Sequence, residues 1–108
     1  MHLTVTVADN TFQLDVPQFV VADGESFFQK LDADMDGGWQ MHREYVENPN
    51  VIQRCQIVAD RLLTAMHQDN RKSVIMLAGY IVSRLPHVTH VKIDDTGNMQ
   101  STRFEMAG

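Results

Sequence analysis

The sequence predicts an α+β domain in which the two ends of the chain each supply a β-hairpin to an antiparallel sheet. About four helices from the middle pack on one face of that sheet. Three observations lead there. Apolar residues alternate with polar ones from His2 to Val7 and from Phe12 to Val16, and again at Val91 and Ile93 and at Phe104 and Met106. Between these ends, apolar residues recur at spacings of three and four from Val51 to Met66. Pro17, Pro49 and Pro86 stand where one pattern gives way to the next.

The elements follow in order. Within the first hairpin the turn is ADNT, where Asp9 and Asn10 tolerate positive φ, and Pro17 ends the second strand because it has no N–H to donate. After a short apolar connection, Asp23 is placed to cap a helix running through Glu25, Phe28 and Leu31 into an acidic loop. A second helix leaves that loop near Met41 and stops before Pro49. Asn48 and Pro49 supply the cap and first position of the third helix, whose apolar face runs from Val51 through Cys55, Val58 and Leu62 to Met66. Asn70 suits a left-handed C-terminal position, Ser73 caps the fourth helix, and this nearly all-apolar helix ends at Pro86. DDTGN turns the final hairpin.

Bulk properties narrow the function classes. A chain of 108 residues, with 44% apolar and 21% charged side chains, suits one globular domain spanning residues 1–108. Nine basic against fourteen acidic side chains give a net charge of −5, which opposes binding to a phosphate backbone, so no nucleic-acid partner is expected. The longest apolar run, Val74 to Val82, is too short to cross a bilayer, and no membrane association is expected. MHLTVTVADN lacks the basic and continuous apolar regions of a secretory signal, so a cytoplasmic location is expected. The lone Cys55 permits neither an intrachain disulfide nor a thiolate metal cage.

The stretch LDADMDGGWQMHRE sets three aspartates at alternate positions before two glycines and the only tryptophan. It resembles the EF-hand calcium-binding motif over residues 28–44. Phe28 and Leu31 match the incoming helix, Asp32, Asp34 and Asp36 match loop positions one, three and five, and Gly37 matches the turn glycine. By that resemblance Gly38 offers a carbonyl, Gln40 sits where ligation often runs through water, and Trp39 takes the large apolar position. Arg43 stands at the twelfth position, where the family carries a bidentate glutamate, and Glu44 follows one residue late, so Glu44 ligates only if the loop expands. The resemblance implies a site for calcium, or for magnesium with waters retained, on Asp32, Asp34, Asp36, Gly38, Gln40 and Glu44.

A simpler alternative has Asp34 or Asp36 capping the next helix, with Arg43 neutralising the carboxylates. In that case the same region, with Trp39, Met41 and Tyr45, presents an aromatic anchor to a protein partner or to a second copy in a homodimer. No catalytic constellation stands out. Cys55 lies on an apolar helical stripe, His87 and His90 fall on opposite faces of a strand, and His42 near Glu44 has nothing to complete a site with. Gly79 reads as a close helix contact. The expectation is a small non-enzymatic protein with an EF-hand-like loop, or a protein-interaction module.

Overall fold

The computed structural model describes residues 1–107. The terminal segments pair as their alternation predicts. β1 (His2–Val7) and β2 (Asn10–Asp15) form an antiparallel hairpin with Leu3 opposite Leu14 and Val5 opposite Phe12. β5 (Val88–Ile93) and β6 (Arg103–Met106) form a second, with Val91 opposite Phe104 and a bulge between Val88 and His90. The positive φ of the first turn falls at Ala8, at 54°, and Asn10 pairs with Val7 instead of serving as a turn residue.

The sheet has the order β2-β1-β5-β6, and its central seam, β1 beside β5, is parallel, with Val5 opposite Val91. The expected all-antiparallel sheet is corrected to a mixed one. β2 ends beside the start of β1, and the helical segment brings the chain back to that same end, so β5 starts there and runs in the direction of β1. A connection of that length is what parallel pairing requires.

Four helices make the second layer: α1 (Gln18–Asp23), α2 (Glu25–Asp36), α3 (Val51–His67) and α4 (Arg71–Arg84). The apolar connection is itself α1, and Asp23 ends it; Gly24, not Asp23, precedes α2. α3 starts two residues later than expected, at a reciprocal cap in which Gln53 N–H donates to Asn50 Oδ1 at 2.8 Å and Asn50 N–H to Gln53 Oε1 at 2.9 Å. Asn70 caps α4 by accepting from Ser73 N–H, and the left-handed residue is Asp69, with φ 54°.

The largest correction concerns the acidic stretch. It is not a loop between two helices: α2 continues through Asp36, and the expected second helix is a small hairpin of β3 (Trp39–Met41) and β4 (Glu44–Val46) turning at His42, φ 59°. Phe28, Leu31 and Met35 lie at helical spacing and are all buried, so burial carries the helix across aspartates whose own propensity is poor. Gly38, at φ 114°, then turns the chain, and Trp39 to Met41 has the aromatic and alternating character of a strand with Met41 wholly buried.

The core lies between the inner sheet face, with Leu3, Val5 and Val91, and the helices, with Phe28, Ile57, Val58, Leu62, Tyr80 and Ile81. Gly79 supplies the close contact its sequence position suggests. A Cβ there would stand 3.0 Å from Val20 Cγ1 and 3.1 Å from Phe28 Cζ. No helix among the described residues is long and apolar enough to cross a membrane.

Candidate functional site

The six residues implicated by the EF-hand resemblance fall on four separate pieces of backbone. Asp32 and Asp36 share one face of α2, one turn apart, whereas Asp34 is rotated about 200° from Asp32 and is exposed. Gly38 lies in the turn after the helix. Gln40, on β3, donates from Nε2 to His42 O at 3.1 Å, and Glu44, on β4, accepts from Gln100 Nε2 at 2.8 Å. Among the described residues no three histidine, cysteine, aspartate or glutamate side chains cluster to hold a metal ion.

Asp32 is instead the anionic centre of a network built by three helices. Its Oδ1 accepts from Tyr80 Oη at 2.5 Å and from Arg54 Nη1 at 3.2 Å, and its Oδ2 accepts from Arg84 Nη2 at 2.7 Å. Arg84 also holds Glu25, at 3.0 and 2.9 Å, and its guanidinium stands 5.0 Å from the Tyr80 ring centroid. Arg54 reaches Asp36 Oδ1 at 2.9 Å and donates to the carbonyl of Pro49 and to Asn48 Oδ1. Burial works to raise the Asp32 pKa, but the donors Tyr80, Arg84 and Arg54 outweigh it and hold the carboxyl below its ordinary value. Burial and the Asp32 charge push the Tyr80 phenol upward, so it stays a donor. Two arginines face three carboxylates here, and two of the carboxylates a cation would need, Asp32 and Asp36, are already engaged.

A second feature lies toward the other ends of α3 and α4 from this network, at the free edge of β2. The two-residue turn makes Val7 and Asn10 the closing hydrogen-bonded pair, so in the alternation of an antiparallel ladder Phe12 and Leu14 also bond inward to β1. Val16 N–H, donating to Met1 O at 2.7 Å, continues that parity. The N–H and C=O groups of Thr11, Gln13 and Asp15 therefore point away from the sheet, and among the described residues no backbone partner meets them. Behind this edge is an apolar cleft of about 340 Å³ lined by Phe12, Leu14, Met66, Val74 and Ile75, with Asp69 and Arg71 also on its wall. Phe12 remains 42% exposed although it sits on the helix-facing side of the sheet. Phe12 and Met66 also line an adjoining cleft of about 270 Å³.

The other edge of the sheet is different. β6 is four residues long, carries Arg103 and Glu105 outward, and pairs through a bulge. Short length, charge and bulges are the usual ways of blunting an edge. β2 has six residues, no lysine, no proline and no bulge.

The remaining predicted residues are placed as follows. Cys55 is fully buried, and loss of solvent pushes its thiol up to about 12. Met41 is wholly buried, Trp39 is half-buried and packed on the core, and Tyr45 is 57% exposed with its hydroxyl donating to Gly37 O at 2.9 Å. His90 pairs with Glu105 at 2.9 Å and with Thr6 Oγ1 at 2.7 Å on the outer sheet face, and exposed His87 precedes the strand. Arg54, Tyr80 and Arg84 went unremarked in the sequence. The available signal was spacing: Arg54 falls three residues after Val51 and four before Val58, and Arg84 four after Tyr80, on the apolar faces of their helices, where a buried cation requires an anion. No family model matches this chain, and no curated protein or solved structure matches it either.

Proposed function

We propose that this chain is a non-enzymatic protein-interaction module that binds an extended strand along the outer edge of β2, with partner side chains entering the apolar cleft behind it. The observation that carries this is the row of outward backbone groups at Thr11, Gln13 and Asp15 beside exposed Phe12. Strand addition draws affinity from main-chain hydrogen bonds and specificity from pockets for alternate side chains, and the edge and cleft offer both. A cleft of about 340 Å³ lies at the lower end of the range for binding sites.

This surface has better support as a docking site than the Trp39 region, where Met41 is withdrawn into the core and Trp39 is half-covered. It also has better support than calcium binding at Asp32, Asp34 and Asp36. A cation there would have to displace Arg54 and Arg84 and unwind the last turn of α2 before the three carboxylates could converge.

The test is an NMR titration of labelled protein with a blocked peptide of alternating valine and threonine, about six residues long, the usual span of a strand. Saturating amide shifts at Thr11, Gln13 and Asp15, with side-chain shifts at Phe12 and Ile75, are expected. Shifts centred on Trp39 and Tyr45 would transfer the docking site there, and an absence of shifts at millimolar peptide would remove strand addition as the function.

A further inference from the structure

The β2 edge has features that select one occupant. We infer that the strand added to it is β2 of a second copy of this chain, forming a two-fold dimer with a continuous sheet of eight strands. This rests on the strand-addition reading above and names its partner.

Outward groups occur only at odd-numbered residues, so an antiparallel β2–β2 ladder must set odd opposite odd. A two-fold axis at Gln13 is the one register that pairs all three outward residues with one another: Thr11 with Asp15 of the partner copy, Gln13 with Gln13, and Asp15 with Thr11. Each such pair exchanges two bonds, giving about six across the seam. An axis at Asp15 would set two carboxylates against each other, which is repulsive. An axis at Phe12 would leave Asp15 opposite the turn residue Asp9, again two acids.

The same register matches the side chains. Phe12 of each copy falls opposite Leu14 of the other on the helix-facing side, in the closer, non-hydrogen-bonded kind of pair. This brings the exposed Phe12 ring to the mouth of the partner's cleft, among Met66, Val74 and Ile75. On the outer face Thr11 offers a hydroxyl to Asp15, and the two Gln13 amides can each donate and accept. Charge agrees as well. Asp69 and Arg71 lie on the wall of the same cleft. A wall carrying both signs is complementary to its own two-fold image, whereas a wall of one sign would repel it, a distinction that matters in a chain of net charge −5.

The test uses charge exchange at the axis, where only this register sets residue 13 against itself. Wild type, Gln13→Lys, Gln13→Glu and an equimolar mixture of the two variants are compared by sedimentation velocity across concentration, with circular dichroism confirming that each is folded. The wild type is expected to sediment as a dimer at high concentration. Each variant alone should dimerise about fivefold or more weakly, as like charges directly opposite in a ladder do, and the mixture should return to the wild-type midpoint or better. Dimers of both variants as stable as wild type would place any self-association elsewhere and overturn the inference. A wild type that stays monomeric to millimolar concentration would also overturn it; in that monomer, shifts at Gln13 on adding the valine–threonine peptide would leave the strand-addition reading standing, and their absence would remove both.

Discussion

Replacing Asp32 with alanine separates two roles for the acidic stretch because they predict opposite signs. If Asp32, Asp34 and Asp36 formed an empty cation site, deleting one carboxylate would relieve repulsion and stabilise the metal-free protein. In the network, Asp32 accepts from Tyr80, Arg54 and Arg84, whose arginine side chains are only 13% and 19% exposed. Bonds to a charged acceptor are each worth roughly 1.5–3 kcal/mol, but they do not add fully here. Arg84 keeps Glu25, Arg54 keeps Asp36, and the Asp32 side chain is 26% exposed, so water enters the gap. A net loss of about 3 kcal/mol is expected, near the lower end for breaking a buried pair. Asp34→Ala, at an exposed position, should change stability by less than about 0.5 kcal/mol. Urea unfolding in a chelator-containing buffer measures both. An Asp32→Ala variant as stable as wild type, or more so, would refute the network's role.

The pH dependence follows from the same carboxyl. Its folded pKa lies below the ordinary 3.8, so its contribution is present above that value and is lost as pH falls through the lower folded value; the stability gap between wild type and Asp32→Asn should therefore close as the solution is acidified below 3.8, and a gap that widens on acidification would contradict this. Calcium titrated to millimolar concentration over magnesium should leave the amides of residues 32–44 unshifted, and a saturating shift centred on Gly37 would revive the EF-hand reading. Cys55, fully buried with its thiol pushed up to about 12 by loss of solvent, should react with a thiol reagent only at a rate that tracks unfolding; fast reaction in native buffer would count against its burial. Gly38→Ala should cost about 2 kcal/mol, because φ is 114° and the new Cβ would meet the Tyr45 hydroxyl, whereas Gly37→Ala meets nothing within 4 Å and should be nearly neutral in thermal unfolding.

The first hairpin and α3 were legible because each buries one face and so writes its own period into the sequence, Leu3, Val5 and Val7 at period two and Cys55, Val58, Leu62 and Ala65 at three and four, whereas α4 was legible as an apolar run, buried without a break from Leu77 to Val82. The acidic stretch was misread because its alternating aspartates match a loop pattern, while the helical signal of Phe28, Leu31 and Met35 runs through the same residues. Both patterns are present, and the choice is made by burial, which a sequence does not display. The parallel seam between β1 and β5 was hidden for a related reason. Nothing in either hairpin specifies its neighbour, and the pairing is fixed by where the helices return the chain. The ion network was illegible as a unit, since Asp32, Arg54 and Arg84 are brought together by helix packing across more than fifty residues of chain.

The exposure of Phe12 belongs with these. Period two assigns it correctly to the inner face, but not to an edge where that face runs out. The parity of the β2 backbone groups gives the most direct test of this edge as the docking surface. Amide hydrogen exchange would be followed from Asn10 to Asp15 as protein concentration is raised. The expected result is that Phe12 and Leu14 are protected throughout, while Thr11, Gln13 and Asp15 exchange freely when dilute and become protected together as copies pair. Outward amides that stay open at every concentration, and remain open with the valine–threonine peptide added, would contradict the proposal that this edge binds a strand.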